Sequence, residues 1–561
     1  MIKQSYGFFS DRYNSVFNVD HRLIYANFTL YCKMEAEKNK MKFLTYLFSL
    51  FFISCTGPTY DIIIINGQIS DGTGAKLFPG NIYIKGGKII QIGQIKRAVA
   101  EKILDASGLI VSPGFIDMHT HSERRSLDFP PVENYLQQGV TTMVGGNCGG
   151  SPFPIGEFID KTEKMGIGPN LALLVGHNTV RREVMGTENR LATEKELNQM
   201  RALVQSAMDD GAFGMSTGLK YIPGAYSNTE EVIALASIVS KNGGFYATHM
   251  REEGIGLLES TEEAINIGRQ ANLPVQISHH KAVGKSMWGN SSKTLELVNK
   301  ARSEGIDVTA DQYPYTATST TLKVVFPAWS LSGGREALKK RLDDPVQREK
   351  IKDDIVWNIV YDRGGGDPAS IVVASYPPNT EYNGMNLAEI TQESGYDPTP
   401  ENSAEILMNL VYEGGGSGIY HCLNEDDVQQ IMTHPQVMHA SDGSTIQFGR
   451  AQPHPRNYGT YPKVLGKYVR ELGLLSIEEA IRKMSSLPAS VLGITDRGKI
   501  KKEFWADLVI FDPNTIIDNA TWKDPHQYPT GISWVIVNGA ISIDHRIWTE
   551  KLSGKVLIHT P

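Results

Sequence analysis

The chain has 561 residues, 41% hydrophobic and 21% charged, enough apolar text to bury a full-sized core in more than one structural unit. Its formal net charge of -7 and pI near 6.1 exclude a general nucleic-acid surface, because neutralising phosphates takes clustered Lys and Arg. An anionic ligand must therefore be met by a local basic pocket.

Residues 1–57 read as an upstream extension followed by an export segment. The first forty residues carry neither helical nor strand periodicity, and "MKFLTYLFSLFFISC" then supplies a Lys ahead of an apolar run too short to span a bilayer comfortably. The run ends in Phe-Ile-Ser before Cys55, which resembles the lipobox of bacterial lipoproteins, with translation starting at Met41 and a lipid on Cys55. That reading implies an exported, membrane-anchored lipoprotein on the periplasmic or cell-surface side. The alternative is a short N-terminal membrane anchor that is never cut. Either way only Cys148 and Cys422 remain in the folded part, too few for a disulfide framework.

Residues 58–112 alternate short apolar runs with Asn-Gly, Asp-Gly and Gly-Gly turns, as in "DIIIINGQISDG" and "GNIYIKGGKIIQIG", and predict β-strands. The same texture returns within 491–561, in "ADLVIFDPNTI" and "ISWVIVNGAISI", so the two segments predict the halves of one small β-sandwich. Between them, over 113–490, buried β-rich runs alternate with amphipathic helical text, the signature of parallel βα units. Eight such runs can be counted: "GFIDMHTH", "TTMVGGNCG", "LALLVGH", "FGMSTGL", "FYATHM", "PVQISHH", "DVTADQYPY" and "VMHASDG". Eight closes a (β/α)8 TIM-like barrel, an α/β fold. "TEKELNQ" and "NTEEVIA" predict capped helix starts between the runs. About a hundred residues, 320–430, separate the seventh run from the eighth and predict a subdomain inserted over the barrel mouth.

In a TIM-like barrel the C-terminal ends of all strands converge on one face, where chemistry is placed. Here those ends carry coordinating side chains: His119 and His121 after the first run, Cys148 after the second, His249 after the fifth, His279 after the sixth and Asp442 after the eighth. Residues two apart on a strand face the same way, so His119 and His121 can reach one ion, and His279 and Lys281 share a face that His280 does not. Imidazoles with one thiolate suit zinc better than magnesium or calcium, which prefer oxygen shells. Singly, each residue is equally at home as a core histidine, an inert buried thiol or, for Asp442, a turn cap.

The motifs "PGFIDMHTHSE", "GNCGGSPFP", "GAFGMSTGLKYIPG", "YATHMREEG", "ISHHKAVG", "ADQYPYTATST" and "HPRNYGTYPKVLGKYVRE" resemble the N-acyl-D-amino-acid deacylase (D-aminoacylase) family of the amidohydrolase superfamily, from about Tyr60 to the C-terminus. The resemblance implies that Cys148, His249 and His279 hold a tight zinc and that His119, His121 and Asp442 line a second, weaker position. It also implies that the Cys148 thiolate takes the bridging role which a carboxylated lysine has in many amidohydrolases. Asp442 would act as the catalytic base, and Lys281, Tyr313, Ser319 and Arg456 would bind the substrate carboxylate. Two departures bear on the pocket rim: Asn178 stands where the family pattern leads one to expect Gly, and the spacing from Asp442 to Arg456 is a few residues long.

The activity implied is zinc-dependent hydrolysis of the linear amide of a small-molecule N-acyl-D-amino acid. A cyclic-amide hydrolase of the hydantoinase or dihydroorotase kind is the alternative on the same scaffold, although such enzymes usually use a strand-four lysine and Lys220 stands only beyond "FGMSTGL". A non-catalytic surface binding protein is the third reading. Oligomeric state, side-chain preference and acyl preference are not legible in the sequence.

Overall fold

The computed structural model describes residues 26, 29–30, 33–42, 59–95 and 97–560; the apolar run and Cys55 lie outside them. Two units are distinguished. The smaller, Met1–Thr59 with Ile95–Val99, contains a helix over residues 33–42. Among the described residues no helix is long and apolar enough to cross a membrane.

In the larger unit, Tyr60–Gln94 with Ala100–Pro561, parallel strands follow one another around a barrel. They are Phe115–Asp117, Val140–Gly145, a split third strand (Asn170–Leu173 and Val175–Gly176), Gly214–Gly218, Phe245–His249, Val275–Ile277, Val308–Gln312 and Val437–His439. The eighth closes on the first through a parallel bridge between Thr120 and Gly443, with Asp442 N donating to His119 O at 2.9 Å and His121 N to Gly443 O at 2.7 Å. Ile116, Met118, Val144, Ala172, Leu174, Phe213, Phe245, Ala247 and Met438 form one cluster drawn from most of the strands. The opposite strand faces pack with the helices in a second, larger cluster. Strands buried on both sides explain why the runs read as continuous apolar text rather than as alternation. The predicted helix starts are present: Thr193 and Glu196 form a capping box, and Asn228 caps the helix Thr229–Lys241.

The third strand is split for a reason the text did not predict. Below Leu174 its outer edge pairs with residues 555–557 instead of with the fourth strand: Leu171 N donates to Lys555 O at 2.9 Å and Leu557 N to Leu171 O at 2.8 Å. His559 N then reaches Gly211 O at 3.0 Å, so the segment after 553 stitches the barrel floor.

The β-domain beside the barrel is one nine-stranded sheet in which N-terminal strands, such as Thr59–Ile69 and Ile110–Pro113, pair with C-terminal strands, such as Leu508–Phe511 and Ile532–Val537. It curls over its own core: Ile62, Ile84, Ile89, Leu508, Ile536 and Ile541 belong to one cluster. Its far edge returns to the chain beside Leu508, with Ile89 N donating to Phe504 O at 2.9 Å. The insertion holds a three-stranded antiparallel sheet, Thr318–Thr321, Ser417–Tyr420 and Ile371–Ser375, with helices including Pro345–Tyr361 and Pro400–Glu413 around a separate core. Its sheet starts two residues before the expected boundary. Helix Glu425–Thr433, expected to fall partly inside the insertion, packs on the barrel instead, against strands Val308–Gln312 and Val437–His439.

Candidate metal and substrate site

The first, second, sixth and eighth strands stop short of their coordinating residues. His119 and His121 follow the end of the first strand at Asp117, and Cys148 lies three residues beyond Gly145. Cys148, His279 and Asp442 all have positive φ, 51°, 37° and 50°. L-residues pay for that left-handed conformation, which persists only where the surroundings fix it. Those surroundings are hydrogen bonds across the barrel mouth. Asp117 accepts from the backbone N–H of both His119 and Ser441 at 3.1 Å, and Asp311 accepts from His279 N at 2.8 Å.

Cys148 Sγ sits among three imidazoles, 3.3 Å from His119 Nε2, 3.4 Å from His279 Nε2 and 3.6 Å from His249 Nδ1. Zinc bonds of about 2.3 Å to sulfur and 2.0–2.1 Å to nitrogen at a tetrahedral angle separate the two donors by about 3.6 Å. The spacing and the donor chemistry therefore fit zinc. A second triad follows directly: His121 Nε2 lies 3.1 Å, and His119 Nε2 3.5 Å, from Asp442 Oδ1. Every candidate metal ligand read from the sequence is thus in one place.

Burial by itself pushes the Cys148 thiol up, yet the imidazoles of His119 and His279 outweigh it and hold the thiol well below its ordinary value. Burial also works against an ionised Asp442, but the Arg456 guanidinium, 2.8 Å from its Oδ2, and His121 hold the carboxyl well below the usual range. Both groups are thereby biased toward their ionised forms.

The four residues expected to bind a carboxylate line the same cleft, of about 900 Å³. Tyr313 lies between the cations, its ring 4.9 Å from the Arg456 guanidinium carbon and 5.7 Å from Lys281 Nζ, and its buried hydroxyl has no hydrogen-bond partner among the described residues. Arg456 Nη2 donates to the Ser319 carbonyl at 3.2 Å. Neither cation is free, however. Arg456 is paired with Asp442, and Lys281 with Glu253.

Glu253 was missed in the sequence. It is buried, with Oε1 3.0 Å from His279 Nδ1 and Oε2 2.9 Å from Arg363 Nη2 and 3.4 Å from His249 Nε2. It thus backs two candidate ligands and neutralises two buried cations at once. The fragment "MREEG" held it in view, but nothing there distinguishes Glu253 from Glu252, which pairs with Lys220 at the cleft's edge.

Residues 102–333 and 404–543 match the family described as "Amidohydrolase family". A D-aminoacylase of Alcaligenes xylosoxydans xylosoxydans is 35% identical over 527 residues, 89% of this chain and 98% of that protein. The chain belongs to the D-aminoacylase family of amidohydrolases. Among solved structures, the N-acyl-D-glutamate deacylase of Bordetella bronchiseptica, complexed with zinc and a phosphonate inhibitor, superposes with a TM-score of 0.76 at 32% identity, covering 89% of this chain and all of that one. A dihydropyrimidinase from Brevibacillus agri, 13% identical with a TM-score of 0.53 over 89% of this chain and 98% of that one, shares the fold alone.

Within this amidohydrolase the two departures find physical places. Asn178 Nδ2 donates to the carbonyls of Gly218 and Tyr221 at 3.0 and 3.1 Å, stapling the end of the fourth strand to the loop behind it. That loop aims the Tyr221 ring at His249, 4.7 Å between centroids, and its hydroxyl at Thr320, 3.0 Å away in the insertion. The long spacing between Asp442 and Arg456 forms a polar wall of the cleft, with Ser444, Thr445 and Gln447 on it.

Proposed function

We propose that this protein hydrolyses the amide bond of N-acyl-D-amino acids with zinc, releasing a carboxylate and a free D-amino acid. The observation that carries the reading is the packing of Cys148 against His119, His249 and His279 beside Asp442, itself paired with a buried arginine. Cys148, His249 and His279 would hold the tight zinc, and His119, His121 and Asp442 would line a weaker position. When bound, zinc polarises the amide carbonyl and acidifies the attacking water. Asp442 accepts that water's proton and delivers it to the departing amine, which is a very poor leaving group until protonated.

Arg456 links substrate binding to this step. In the resting site it holds the Asp442 carboxyl low, which makes Asp442 a weak base. A substrate carboxylate can take the planar fork of Arg456 together with the free Tyr313 hydroxyl. Asp442 is then released from its partner and becomes more basic when a proton has to be removed. Lys281 and Ser319 complete the clamp.

Matched N-acetyl-D- and N-acetyl-L-amino acids, given to the zinc-loaded protein, test the reading. Turnover confined to the D series and lost in Asp442→Asn is expected, whereas turnover of L substrates alone would sink it. Ring opening of hydantoins would favour a cyclic-amide hydrolase instead, which the position of Lys220, outside the fourth strand and tied to Glu252, does not support. Zinc binding without any amidase activity, with Asp442→Asn changing nothing, would favour a binding protein. Export and a lipid on Cys55 are proposed from the apolar run and the Ile-Ser-Cys sequence alone. Labelled palmitate incorporated by the wild-type chain, and absent in Cys55→Ala, is the result expected.

A further inference from the structure

His454 opens the sequence "HPRNYG", two residues ahead of Arg456. It lines the catalytic cleft yet is only 1% exposed, and both of its ring nitrogens are engaged inside the protein. Nδ1 accepts the backbone N–H of Arg456 at 3.0 Å, and Nε2 donates to the Ala317 carbonyl at 3.0 Å. A nitrogen that accepts from an amide carries no proton and one that donates to a carbonyl must carry one, so the two partners fix the neutral ring in a single tautomer. Burial, and then the Arg456 guanidinium, hold its pKa well below the ordinary histidine value. With no polar atom left over for substrate or water, His454 acts only through its neighbours.

Those neighbours are the two sides of the carboxylate clamp. Arg456 is the first residue of the helix Arg456–Lys463, so its N–H has no acceptor within the helix, and Pro455 at the N-cap has no side-chain acceptor to offer. His454 supplies the missing cap. On the other side, Ala317 stands just ahead of the insertion's strand Thr318–Thr321. His454 and Arg456 are two residues apart, as are Ala317 and Ser319, and two rungs join the pairs: His454 Nε2 to Ala317 O, and Arg456 Nη2 to Ser319 O at 3.2 Å. The ring meets Tyr315 and Trp522 edge-on, at 5.1 and 4.8 Å between centroids, packing that opposes its rotation. Trp522 in turn packs on His421 of the insertion at 4.8 Å.

We propose that His454 is the positioning residue of the carboxylate clamp: its two ring nitrogens lock Arg456, from the barrel, and the Ser319 strand, from the insertion, into one preformed unit. The guanidinium then keeps its aim when a substrate carboxylate displaces Asp442. This rests on the deacylase reading, in which Arg456 and Ser319 meet that carboxylate.

The test is a double-mutant cycle on the zinc-loaded full chain, read as kcat/KM for the best substrate among N-acetyl-D-alanine, N-acetyl-D-methionine and N-acetyl-D-glutamate. His454→Asn keeps an acceptor for the Arg456 N–H but does not reach Ala317, whereas His454→Gln keeps the reach and loses the cap. Each should lower kcat/KM by about tenfold in an otherwise wild-type chain, because a buried backbone group is left without its partner. In the Arg456→Lys background, where the planar fork is already gone, the same substitution should lower it by no more than about twofold, since residues that act through one another are not additive. Zinc affinity should stay within about twofold throughout. Equal losses in both backgrounds would make His454 a residue of the fold rather than of the clamp and overturn the inference, as would wild-type kcat/KM in both variants. Either substitution completes the cycle if the other does not fold. Turnover of no N-acyl-D-amino acid by the wild-type chain removes the deacylase reading, and this inference with it.

Discussion

Glu253→Gln keeps the shape of one buried side chain and removes its charge. In the wild-type protein that carboxylate stands 3.0 Å from His279 Nδ1 and 3.4 Å from His249 Nε2, the ring nitrogens that face away from Cys148. It is thus placed to orient both imidazoles and to raise their basicity as candidate ligands, with Lys281 Nζ, 2.6 Å from the same His279 Nδ1, opposing it there. Loss of such a partner behind a metal-binding histidine typically costs 10–100-fold in metal affinity, about 1.4–2.7 kcal/mol. The structure places the expected loss at the upper end, because one substitution removes the carboxylate behind two ligands and leaves the buried Lys281 and Arg363 without their shared counter-charge. Competition of wild type and variant against a chromophoric chelator measures the zinc affinity directly, independently of turnover. Glu252→Gln is the control: its carboxylate is 42% exposed and salt-bridged to Lys220, so zinc affinity should stay within about twofold, as for surface substitutions generally. A Glu253→Gln protein that binds zinc within about twofold of wild type would refute the assignment of Glu253 as a positioning residue.

Three further outcomes follow from the same geometry. Arg456→Lys retains the charge but loses the planar fork, so kcat/KM for the acyl-D-amino acid should fall by about 2–3 kcal/mol equivalent, with part of the loss in kcat, because a charge-assisted hydrogen bond is worth about that much; an effect confined to KM would argue against the exchange between Asp442 and substrate. Thr193→Ala removes the capping box at the start of helix Glu194–Asp209 and should cost about 1 kcal/mol in denaturant unfolding with no change in zinc affinity. Lys483 is fully buried and donates to the carbonyls of Met432 and His434, and burial pushes its ammonium down to about 7. The unfolded chain then binds one proton more than the folded one between about pH 7 and the ordinary lysine value, so wild-type stability should rise with pH across that window by up to about 1.4 kcal/mol per unit. Lys483→Met should lack that component of the slope, and parallel slopes for the two proteins would contradict it.

The barrel was legible because each strand is buried on both faces and each helix on one, a contrast that apolar runs and amphipathic stretches report faithfully. The convergence of the candidate metal ligands was legible because strand ends in this architecture meet on one face, so position in a run carries position in space. Glu253, Arg363 and Asp311 were not. Their roles depend on partners far away in the chain, such as Arg363 for Glu253 and His119 for Asp311, and no local period encodes which of two adjacent glutamates turns inward. The left-handed backbone at Cys148, His279 and Asp442 was equally silent, since only Gly or Asn would have announced it. The insertion's limits moved because helical text looks the same whether it packs on the inserted sheet or on the barrel.

The segment 554–559 ties the far end of this sequence to the first half of the barrel. Residues that hydrogen-bond to Ile167, Leu171 and Gly211 leave the ribosome after every barrel strand has already emerged. The seam between the third and fourth strands is incomplete without those residues, and the nine-stranded sheet likewise needs strands near 508 and 532 to join those begun at 59. Closure of the barrel floor thus draws on residues from near the end of this sequence. An extension fused directly behind residue 559, or a cut ahead of 554, acts on closure of the barrel and not on a dispensable tail.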